Sequence, residues 1–391
     1  MKPKIKVLYL ISSNKHGNGG HYYSLRTTAE ALSDVIEPSI VVIGKTTSPV
    51  IESSSISHKY VYNNGWNNII SIVNIIKIIQ KEKPDVIHGF DWGIPLFGRI
   101  ASFLFKIPFV NTLPGGGNPT VYYPYVDNLI LYSHENYKFF KSNKKFKNTN
   151  LYLIPNRVLA VKDDKSRLAE LRKEIFRNKK TFLRISRFAE HYKESIMQAI
   201  NLVTWLNNKN FDTQLVLIGT VEDQDVFNEI KNYLKLNDEK NVFIFTQELF
   251  TINASQLIDV ADFVIGTGRG FMEASSKNKI MFTPIKGATL PVLIDEENFL
   301  RYFDTNFSPR NVLSEEGIKE NENKIFDLLS NENKMNETKV FSRKIFSQYF
   351  DINMKKEYYR DLYENIEYKN NLNSFELIEL YLRQMRSTIR S

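Results

Sequence analysis

The stretch IKVLYLISSNKHGNGGHYYSLRTTAEALS, residues 5–33, decides the fold class. Residues 5–11 form an almost unbroken apolar run, residues 14–20 are rich in glycine, and residues 21–33 have a helical composition. Strands of a parallel sheet are buried on both faces and are therefore continuously apolar, whereas strands with one solvated face alternate. The stretch predicts a buried strand, a tight loop and a covering helix, which together form one unit of a parallel α/β sheet.

The same order of strand, loop and helix recurs along the chain. Further strands are predicted at 39–44, 84–88, 104–110, 128–133, 151–154, 181–186, 214–219, 242–246 and 262–266, with helices at 67–81, 194–208, 223–236 and 254–260. A length of 391 residues suits two domains. We therefore expect two doubly wound, Rossmann-like α/β domains at 1–160 and 181–340, joined by a charged linker at 161–180. Residues 341–391 are expected to form terminal helices.

Two segments carry patterns that predict their exposure. In 67–81 the polar residues recur every three or four positions, which predicts a helix with one solvated stripe and broad burial of its isoleucines. The residues of this stripe are Asn67, Ser71, Asn74, Lys77 and Lys81. The stretch 138–150 is rich in lysine and asparagine and is expected to be exposed.

Composition limits the classes of function. The chain has 52 Lys and Arg against 44 Asp and Glu, a formal charge of +8 that favours anionic partners such as nucleotides, sugar phosphates or acidic lipid surfaces. It has no cysteine, which excludes disulfides, thiolate metal sites and cysteine nucleophiles. The lysines are scattered among asparagines without a recognisable reading module, so nucleic acid is not an expected partner.

The apolar runs of the chain are short. None of them approaches the roughly 20 residues that span a bilayer, and the run at 5–11 is too short for the core of a signal peptide. We therefore expect a cytoplasmic protein, and attachment of its surface to the inner face of the cytoplasmic membrane stays open.

Candidate site residues follow the predicted strands, because ligands of open parallel sheets bind at the carboxyl ends of the strands. After the first strand, Gly19 and Gly20 could bring backbone N–H groups close to an anionic or sugar ligand, or could simply form a turn. His21 could contact that ligand or cap the following helix. The first loop is therefore a candidate for ligand contact.

Cations and glycines follow the strands of the second half. Arg187 and Lys193 could bracket a diphosphate, the arginine by its planar fork and the lysine as a point charge, or could be solvated surface cations. In the segment 266–274 the glycines allow a phosphate to approach the start of a helix. Glu273 in that helix could accept hydrogen bonds from a sugar diol, or could only complement the helix dipole. Gly219 completes this ring of loops.

In their order and spacing, the motifs resemble those of the family 4 retaining glycosyltransferases, which have the two-domain GT-B fold. The resemblance covers residues 1–365. It rests on Gly19-Gly20-His21, the segment 84–92 (PDVIHGFDW), the segment 154–158 (IPNRV), Ser186-Arg187 with Lys193, the segment 268–274 (GRGFMEA) and the terminal segment 346–364. It implies a GT-B architecture of two Rossmann-like domains facing a central cleft, with C-terminal helices that return to the N-terminal domain.

The resemblance also implies a function. It implies a hexosyltransferase that moves a sugar from a nucleoside-diphosphate sugar, expected to be a UDP-sugar, to a glycan or lipid-linked acceptor with retention. The product would be a cell-surface polysaccharide such as capsule or lipopolysaccharide. No metal or other cofactor is expected, and Arg187 and Lys193 would act as catalytic residues that stabilise the leaving diphosphate. The implied donor side consists of Arg187, Lys193, Gly219, Gly268, Arg269, Gly270 and Glu273, and the implied acceptor side of Gly19, Gly20, His21, His88, Asp91, Gly115 and Gly116.

Three positions depart from the family pattern. Ile265 stands in place of the first of two paired glutamates, Phe90 in place of a motif histidine, and Pro114 in place of a histidine that often follows the strand. The sequence therefore assigns no general base. Two alternatives stay open: a GT-B-fold sugar-nucleotide epimerase or hydrolase, and a non-catalytic sugar-nucleotide or glycan-binding subunit of a polysaccharide assembly complex.

The tail, residues 366–391, carries an amphipathic pattern. Its apolar residues recur at intervals of three and four, which predicts one apolar helical face. These residues are Phe375, Ile378, Leu382, Met385 and Ile389. Ser374 is placed to cap the helix, and a basic stripe near its end consists of Arg383, Arg386 and Arg390. The helix is expected either to pack on the N-terminal domain or to dock on a partner subunit or an anionic membrane.

Overall fold

Two sheets, one in each of two units of the chain, organise the protein. The computed structural model describes residues 3–15, 17–119, 122–369 and 372–390. The first unit comprises residues 1–158 and 352–391, and the second unit comprises residues 159–351. The chain therefore returns to the first unit for its last helices.

The strands of both sheets are parallel in the described part of the chain, apart from one short edge strand. The first unit contains β1 (Ile5–Ser13), β2 (Ile36–Gly44), β3 (His58–Tyr62), β4 (Val86–Phe90), β5 (Phe109–Leu113), β6 (Asn128–Leu131) and β7 (Asn150–Leu153). The second unit contains β8 (Lys180–Ile185), β9 (Thr213–Ile218), β10 (Val242–Phe245), β11 (Phe263–Ile265), β12 (Ile280–Thr283) and β13 (Val292–Leu293). The spatial order is β3-β2-β1-β4-β5-β6-β7 in the first sheet and β10-β9-β8-β11-β12-β13 in the second, where β13 runs antiparallel to β12.

The strand order reverses once in each sheet. In the first sheet, β2 and β3 extend from one side of β1, and β4 to β7 extend from the other. In the second sheet the same reversal separates β8 from β11. Open parallel sheets bind ligands beyond the carboxyl ends of their strands at such a point. The candidate binding positions are therefore the ends of β1 and β4 and the ends of β8 and β11.

Helices cover the faces of the sheets. In chain order they are α1 (Gly20–Leu32), α2 (Pro49–Glu52), α3 (Asn68–Glu82), α4 (Pro95–Phe105), α5 (His134–Ser142), α6 (Lys165–Lys173), α7 (Glu190–Asn208), α8 (Gln224–Leu236), α9 (Glu248–Thr251), α10 (Gly268–Ser276), α11 (Phe299–Phe303), α12 (Glu315–Ser330), α13 (Glu332–Ile345), α14 (Lys356–Asn365) and α15 (Ser374–Arg390). Short 3-10 segments lie at 144–146, 254–260 and 352–355, and a π-helical turn lies at 346–350. Within the described residues, none of the helices has both the length and the apolar character needed to cross a membrane.

The strands are buried on both faces, as their continuous apolar runs predict. In β1, Val7 and Tyr9 belong to the core that includes α1 and α14. Leu8 and Leu10 belong to the core that includes α3, α4 and α15. The two C-terminal helices therefore pack on opposite faces of the first sheet. The predicted class, doubly wound parallel α/β with a helical C-terminal tail, is confirmed.

The division of the chain differs from the predicted domain boundaries. Residues 161–180, predicted as a linker, belong to the second unit and contain α6, whose Leu168 and Leu171 are buried. The charged composition of the segment hides these two core positions. Helix α13 also belongs to the second unit, so the return to the first unit begins at Ile352 and not at residue 341.

Helix α3 is rotated relative to its predicted orientation. Ser71 is buried, where its hydroxyl donates to the Tyr62 carbonyl at 3.0 Å and accepts from the Asn63 side-chain amide at 3.1 Å. These bonds turn the serine inward. As a consequence, Ile69 and Ile70 are 66% and 61% exposed.

Two further segments differ from the predictions. The segment 138–150, expected to be exposed, contains the buried residues Phe140 and Phe146 among its lysines. Helix α4 occupies the start of 104–110, where a strand was predicted. The helix ends at Phe105, the following residue Lys106 has a left-handed φ of 56°, and β5 begins at Phe109.

Candidate functional site

The carboxyl edge of the second sheet carries the cations predicted to bind a diphosphate. Arg187 lies two residues beyond the end of β8, and its side chain is 36% exposed. Its Nη1 donates to both carboxylate oxygens of Glu222, at 2.9 and 3.1 Å, and its Nη2 donates to the Tyr192 hydroxyl at 2.7 Å. Glu222 follows β9, the neighbouring strand. A carboxylate of the same edge therefore holds the guanidinium.

Lys193 lies in α7 and has a different acidic partner. Its Nζ pairs with the Glu229 carboxylate on α8. The hydrogen bond to Glu229 raises the pKa of Lys193. Arg187 and Lys193 thus each bind a separate carboxylate, and their joint action on a diphosphate stays a prediction.

Two of the glycines at this edge are required by the local backbone geometry. A Cβ on Gly219 would lie 1.7 Å from the Ser186 carbonyl oxygen, so only glycine fits where the ends of β8 and β9 meet. Gly268 starts α10 with a left-handed φ of 46°, and its N–H donates to the Asn306 carbonyl at 3.2 Å. A Cβ on Gly270 would meet no described atom within 4 Å. The start of α10 is therefore open, while Gly219 is accounted for without a ligand.

Glu273, one turn into α10, is held by its own helix. Its carboxylate accepts a hydrogen bond from Arg269 Nε at 2.8 Å. The side chains of Arg269 and Glu273 are only 16% and 13% exposed. A carboxylate that is already ordered loses little side-chain entropy when it binds a diol. Two of the predicted donor-side residues are thus brought together at the start of α10, and their ligand stays a prediction.

The second sheet also contains a buried cation that the sequence analysis missed. Arg184 lies within β8 and is 3% exposed. Its Nη1 donates to the Ile265 carbonyl at 3.1 Å, and its Nη2 donates to the Ser195 hydroxyl at 3.0 Å. Burial lowers the pKa of this guanidinium to about 10. The available sequence signal was one arginine inside an apolar strand.

On the first sheet, Asp91 lies at the reversal point between β1 and β4. Its Oδ2 accepts from the N–H and the hydroxyl of Ser12, each at 2.8 Å, and its Oδ1 accepts from the Gly93 N–H at 2.7 Å. Its φ of 147° is a value that residues other than glycine rarely adopt. Burial raises the pKa of its carboxyl to about 6. Asp91 therefore ties the ends of two strands together at the edge where an acceptor-side role is predicted.

The structure places His88 in the core and not on the acceptor side. The imidazole is fully buried, with Nδ1 bonded to the Tyr363 hydroxyl at 2.8 Å and Nε2 bonded to the Thr112 hydroxyl at 2.7 Å. The Tyr363 hydroxyl also bonds to that of Tyr9 at 3.0 Å. Burial lowers the pKa of His88 to about 3, so the ring is neutral. Because α14 covers this part of β4, His88 joins the helix to the sheet.

The other acceptor-side residues lie at the start of α1, after β1, and in the loop that follows β5. Gly19 caps α1 and Gly20 is its first residue. The ring of His21 lies 4.0 Å from that of the following tyrosine, centroid to centroid. Gly115 and Gly116 have φ values of 100° and 89°, which favour glycine. Their contact with an acceptor stays a prediction.

Comparison with solved structures identifies the fold. The Anabaena protein HepE, solved with UDP and glucose, has a TM-score of 0.68 at 17% identity, over 92% of this chain and 100% of its own. A glycosyltransferase from Rickettsia africae has a TM-score of 0.68 at 16% identity, over 93% of this chain and 98% of its own. A Listeria monocytogenes protein assigned as a UDP-N-acetylglucosamine 2-epimerase has a TM-score of 0.59 at 12% identity, over 92% of this chain and 95% of its own. Neither the family models nor the curated proteins include a match to this chain.

At these identities the likeness shows the fold alone. The two parallel α/β sheets and the helical C-terminal tail match the GT-B fold of glycosyltransferases, so the fold prediction is confirmed. Membership of family 4 stays a prediction.

The bonds around His88 lead to a prediction about stability. Tyr363→Phe is expected to lower the free energy of unfolding by about 1–3 kcal/mol, because it leaves buried polar atoms of His88 and Tyr9 without their partner. Urea unfolding measures the change. The control is Tyr358→Phe on the same helix, where the side chain is 43% exposed and the change should stay within about 0.5 kcal/mol. Equal effects of the two substitutions would show that the network contributes nothing.

Proposed function

We propose that this protein transfers a sugar from a UDP-sugar to a glycan or lipid-linked acceptor, with retention, in the synthesis of cell-surface polysaccharide. The observation that carries the proposal is the carboxyl edge of the second sheet. There, Arg187 and the ordered Glu273 follow β8 and β11, the two strands that flank the reversal point. HepE, which has the same fold, was solved with UDP and glucose, which supports a UDP-sugar as donor. The motif resemblance to family 4 supports retention.

The chemistry requires a stabilised leaving group. Transfer breaks the bond between the anomeric carbon and the diphosphate, and negative charge grows on the departing UDP. Arg187 and Lys193 would stabilise that charge by exchanging Glu222 and Glu229 for phosphate oxygens. Both pairs are partly exposed to solvent, which screens them, so the exchange costs little. The N-terminus of α10 would add a positive potential, and Glu273 would accept hydrogen bonds from the ribose diol.

A sugar-nucleotide epimerase is the second candidate. The likeness to the Listeria protein favours it, as does Ile265 at a position where the family pattern has a glutamate that contacts the sugar. A thermal-shift panel of UDP-, GDP-, ADP- and CMP-sugars identifies the donor, since a ligand of the native state raises the melting temperature. Product analysis then decides: a glycosylated acceptor indicates a transferase, an epimerised nucleotide sugar an epimerase, and binding without product a non-catalytic subunit.

The first prediction for this function concerns the two cations. Arg187→Ala and Lys193→Ala should each weaken UDP binding about tenfold or more, because a charge-assisted contact contributes about 1.5–3 kcal/mol. Titration calorimetry measures the affinity, and transfer should persist in EDTA because these cations stabilise the leaving group. Arg172→Ala is the control, since Arg172 is an exposed cation that pairs with Asp259 before β11, at the opposite edge of the sheet. Unchanged UDP affinity in both variants would falsify the assignment.

The second prediction concerns Glu273. Glu273→Gln keeps the size of the side chain and removes its charge, so it should weaken UDP binding, and it should also lower the melting temperature because the mostly buried Arg269 loses its carboxylate partner. The control is Glu332→Gln, which removes an acid from the first turn of α13, where only the helix dipole is affected. If both variants lose a few tenths of a kcal/mol of stability and Glu273→Gln binds UDP normally, Glu273 is a dipole partner only.

The acceptor side of the proposal rests on an apolar surface formed by α3, α4 and α15. Helix α4 contacts both of the others. The apolar stripe predicted on α15 faces outward, with Phe375, Ile378 and Leu382 exposed by 81%, 60% and 44%. Leu380 and Thr388, on the opposite side of the helix, are buried against the first unit. The tail thus packs on its own unit and still leaves its predicted apolar stripe uncovered by the described residues.

The neighbouring helices enlarge this surface. Exposed apolar residues also occur on α3 (Ile69, Ile70 and Val73) and on α4 (Phe103 and Leu104). Exposed cations accompany them, Lys77 and Lys81 on α3 and Arg383 and Arg386 on α15. Apolar area with a basic rim matches the interfacial region of an anionic bilayer. We therefore propose that the protein binds the inner face of the cytoplasmic membrane, where a lipid-linked acceptor would be found. The side chains of Ser374 and Arg390 lie outside the described residues.

Binding to vesicles tests this surface. The protein should co-sediment with anionic liposomes at low salt and less at high salt, and Phe375→Asn with Ile378→Asn and Leu382→Asn should abolish binding. The melting temperature should hold, because the three side chains are exposed. The control is Leu236→Asn, an 85% exposed leucine of the second unit. If the intact protein does not bind anionic liposomes, the proposed membrane surface is wrong. Helix α15 then has only a structural role or contacts a partner subunit.

A further inference from the structure

Arg184 is a buried cation without a carboxylate partner. Its guanidinium forms hydrogen bonds to the neutral Ile265 carbonyl and Ser195 hydroxyl, and its Nε has no hydrogen-bond partner among the described residues. Arg99 in the first unit shows the usual arrangement, since it is 5% exposed and pairs with the Glu376 carboxylate at 3.2 Å. Within the part of the chain that the structure describes, Arg184 forms no ion pair with a carboxylate.

Burying such a charge destabilises the folded protein. Removing an ion from water costs several kcal/mol even after the protein relaxes, and the cost is recovered only through a nearby opposite charge. The lowered pKa, about 10, still leaves the guanidinium protonated at neutral pH. An anion from outside the described chain would therefore stabilise this uncompensated positive charge in the core of the second unit.

The position of Arg184 indicates where that counter-charge lies. The Ile265 carbonyl, one of its two acceptors, is the last residue of β11, and the loop into α10 follows directly. Ser195, the other acceptor, lies in the second turn of α7. The guanidinium thus lies beneath the reversal point between β8 and β11, where α7 and α10 both begin. Two helix N-termini and a buried cation create a positive potential at one place.

We infer that Arg184 supplies the buried counter-charge for an anion bound at the start of α10, and that this anion is a diphosphate. The inference rests on the proposed donor site and adds to it a positioning residue that acts through its field, since a side chain 3% exposed does not reach the ligand from solvent. Arg187 and Lys193 differ from it, because both already have carboxylate partners to exchange. Arg184 gains its missing partner only when the anion binds.

The inference predicts opposite effects on the empty and the loaded protein. Arg184→Met should melt at the same temperature as the wild type or higher when empty, because it removes an unpaired buried charge. The same variant should bind UDP and inorganic pyrophosphate about tenfold more weakly or worse, because the attraction between a buried positive charge and a nearby anion is only weakly screened. A residue with a purely structural role would instead lower the melting temperature and leave the affinity of the folded fraction unchanged.

Two further variants of Arg184 separate the effect of its charge on anion affinity from the effect of its shape and hydrogen bonds. Arg184→Lys keeps the charge and should bind pyrophosphate within a few-fold of the wild type, whereas Arg184→Gln keeps hydrogen-bonding capacity and should lose affinity as Arg184→Met does. The matched control is Arg99→Gln, which removes a paired buried arginine and should lower the melting temperature without changing UDP affinity. Calorimetric titration with UDP and with pyrophosphate gives all the affinities on the folded proteins.

The outcomes distinguish this inference from the proposed function. If the wild type binds UDP and Arg184→Gln binds it equally well, the inference fails and the donor site stands. If Arg184→Gln loses affinity but the wild type makes no glycosylated product, the inference stands and the transferase proposal fails. If the wild type binds neither UDP nor pyrophosphate, the inference is overturned together with the donor site.

Discussion

Burial of the parallel strands on both faces is the constraint on which the rest of the structure depends. Helices cover both sides of the first sheet, so an interior strand has no solvated face on which to carry chemistry. Groups that could contact a ligand therefore lie beyond the strand ends, where Asp91 follows β4 and Arg187 follows β8. His88 and Arg184, two basic side chains buried within strands, show what the interior requires. His88 is neutral and bonded at both ring nitrogens, whereas Arg184 keeps a charge that the described residues leave uncompensated.

The electrostatics of the second unit follow from that confinement. At the carboxyl edge and the adjoining helix starts, the cations pair with nearby acids, as Arg187 does with Glu222 and Lys193 with Glu229. An anion arriving at this edge replaces one partner by another, which makes the net gain in free energy smaller than the contacts suggest. Arg184 is different because it has no carboxylate to give up within the described chain. In the proposed function, Arg187 and Lys193 would orient the bound diphosphate. The buried charge of Arg184 would increase the affinity of the site for that anion.

The last two helices of the chain, α14 and α15, both belong to the first unit and have different roles there. Helix α14 closes the core through the hydroxyl of Tyr363, which bonds to Tyr9 and His88. Helix α15 packs on the other face through Leu380 and leaves Phe375 exposed. One helix therefore completes the fold, and the other presents a surface beside α3 and α4. Because both belong to the same unit, the surface proposed to meet a membrane is built on the sheet whose carboxyl edge is proposed to receive the acceptor.

The sequence by itself determined the fold class, because a continuously apolar strand is a local property that needs no knowledge of distant residues. It also placed Arg187 just beyond β8 and Glu273 in the helix that follows β11, since position after a strand is local as well. The tertiary structure decided which way each element turns and what each polar group meets. Ser71 faces inward because Asn63 and the Tyr62 carbonyl bond to it, and no spacing of polar residues in α3 reveals that. His88 lies in the core because Tyr363, 275 residues later in the chain, bonds to its ring. Contacts across such separations depend on how helices pack on the sheet, and this packing is a property of the folded molecule alone.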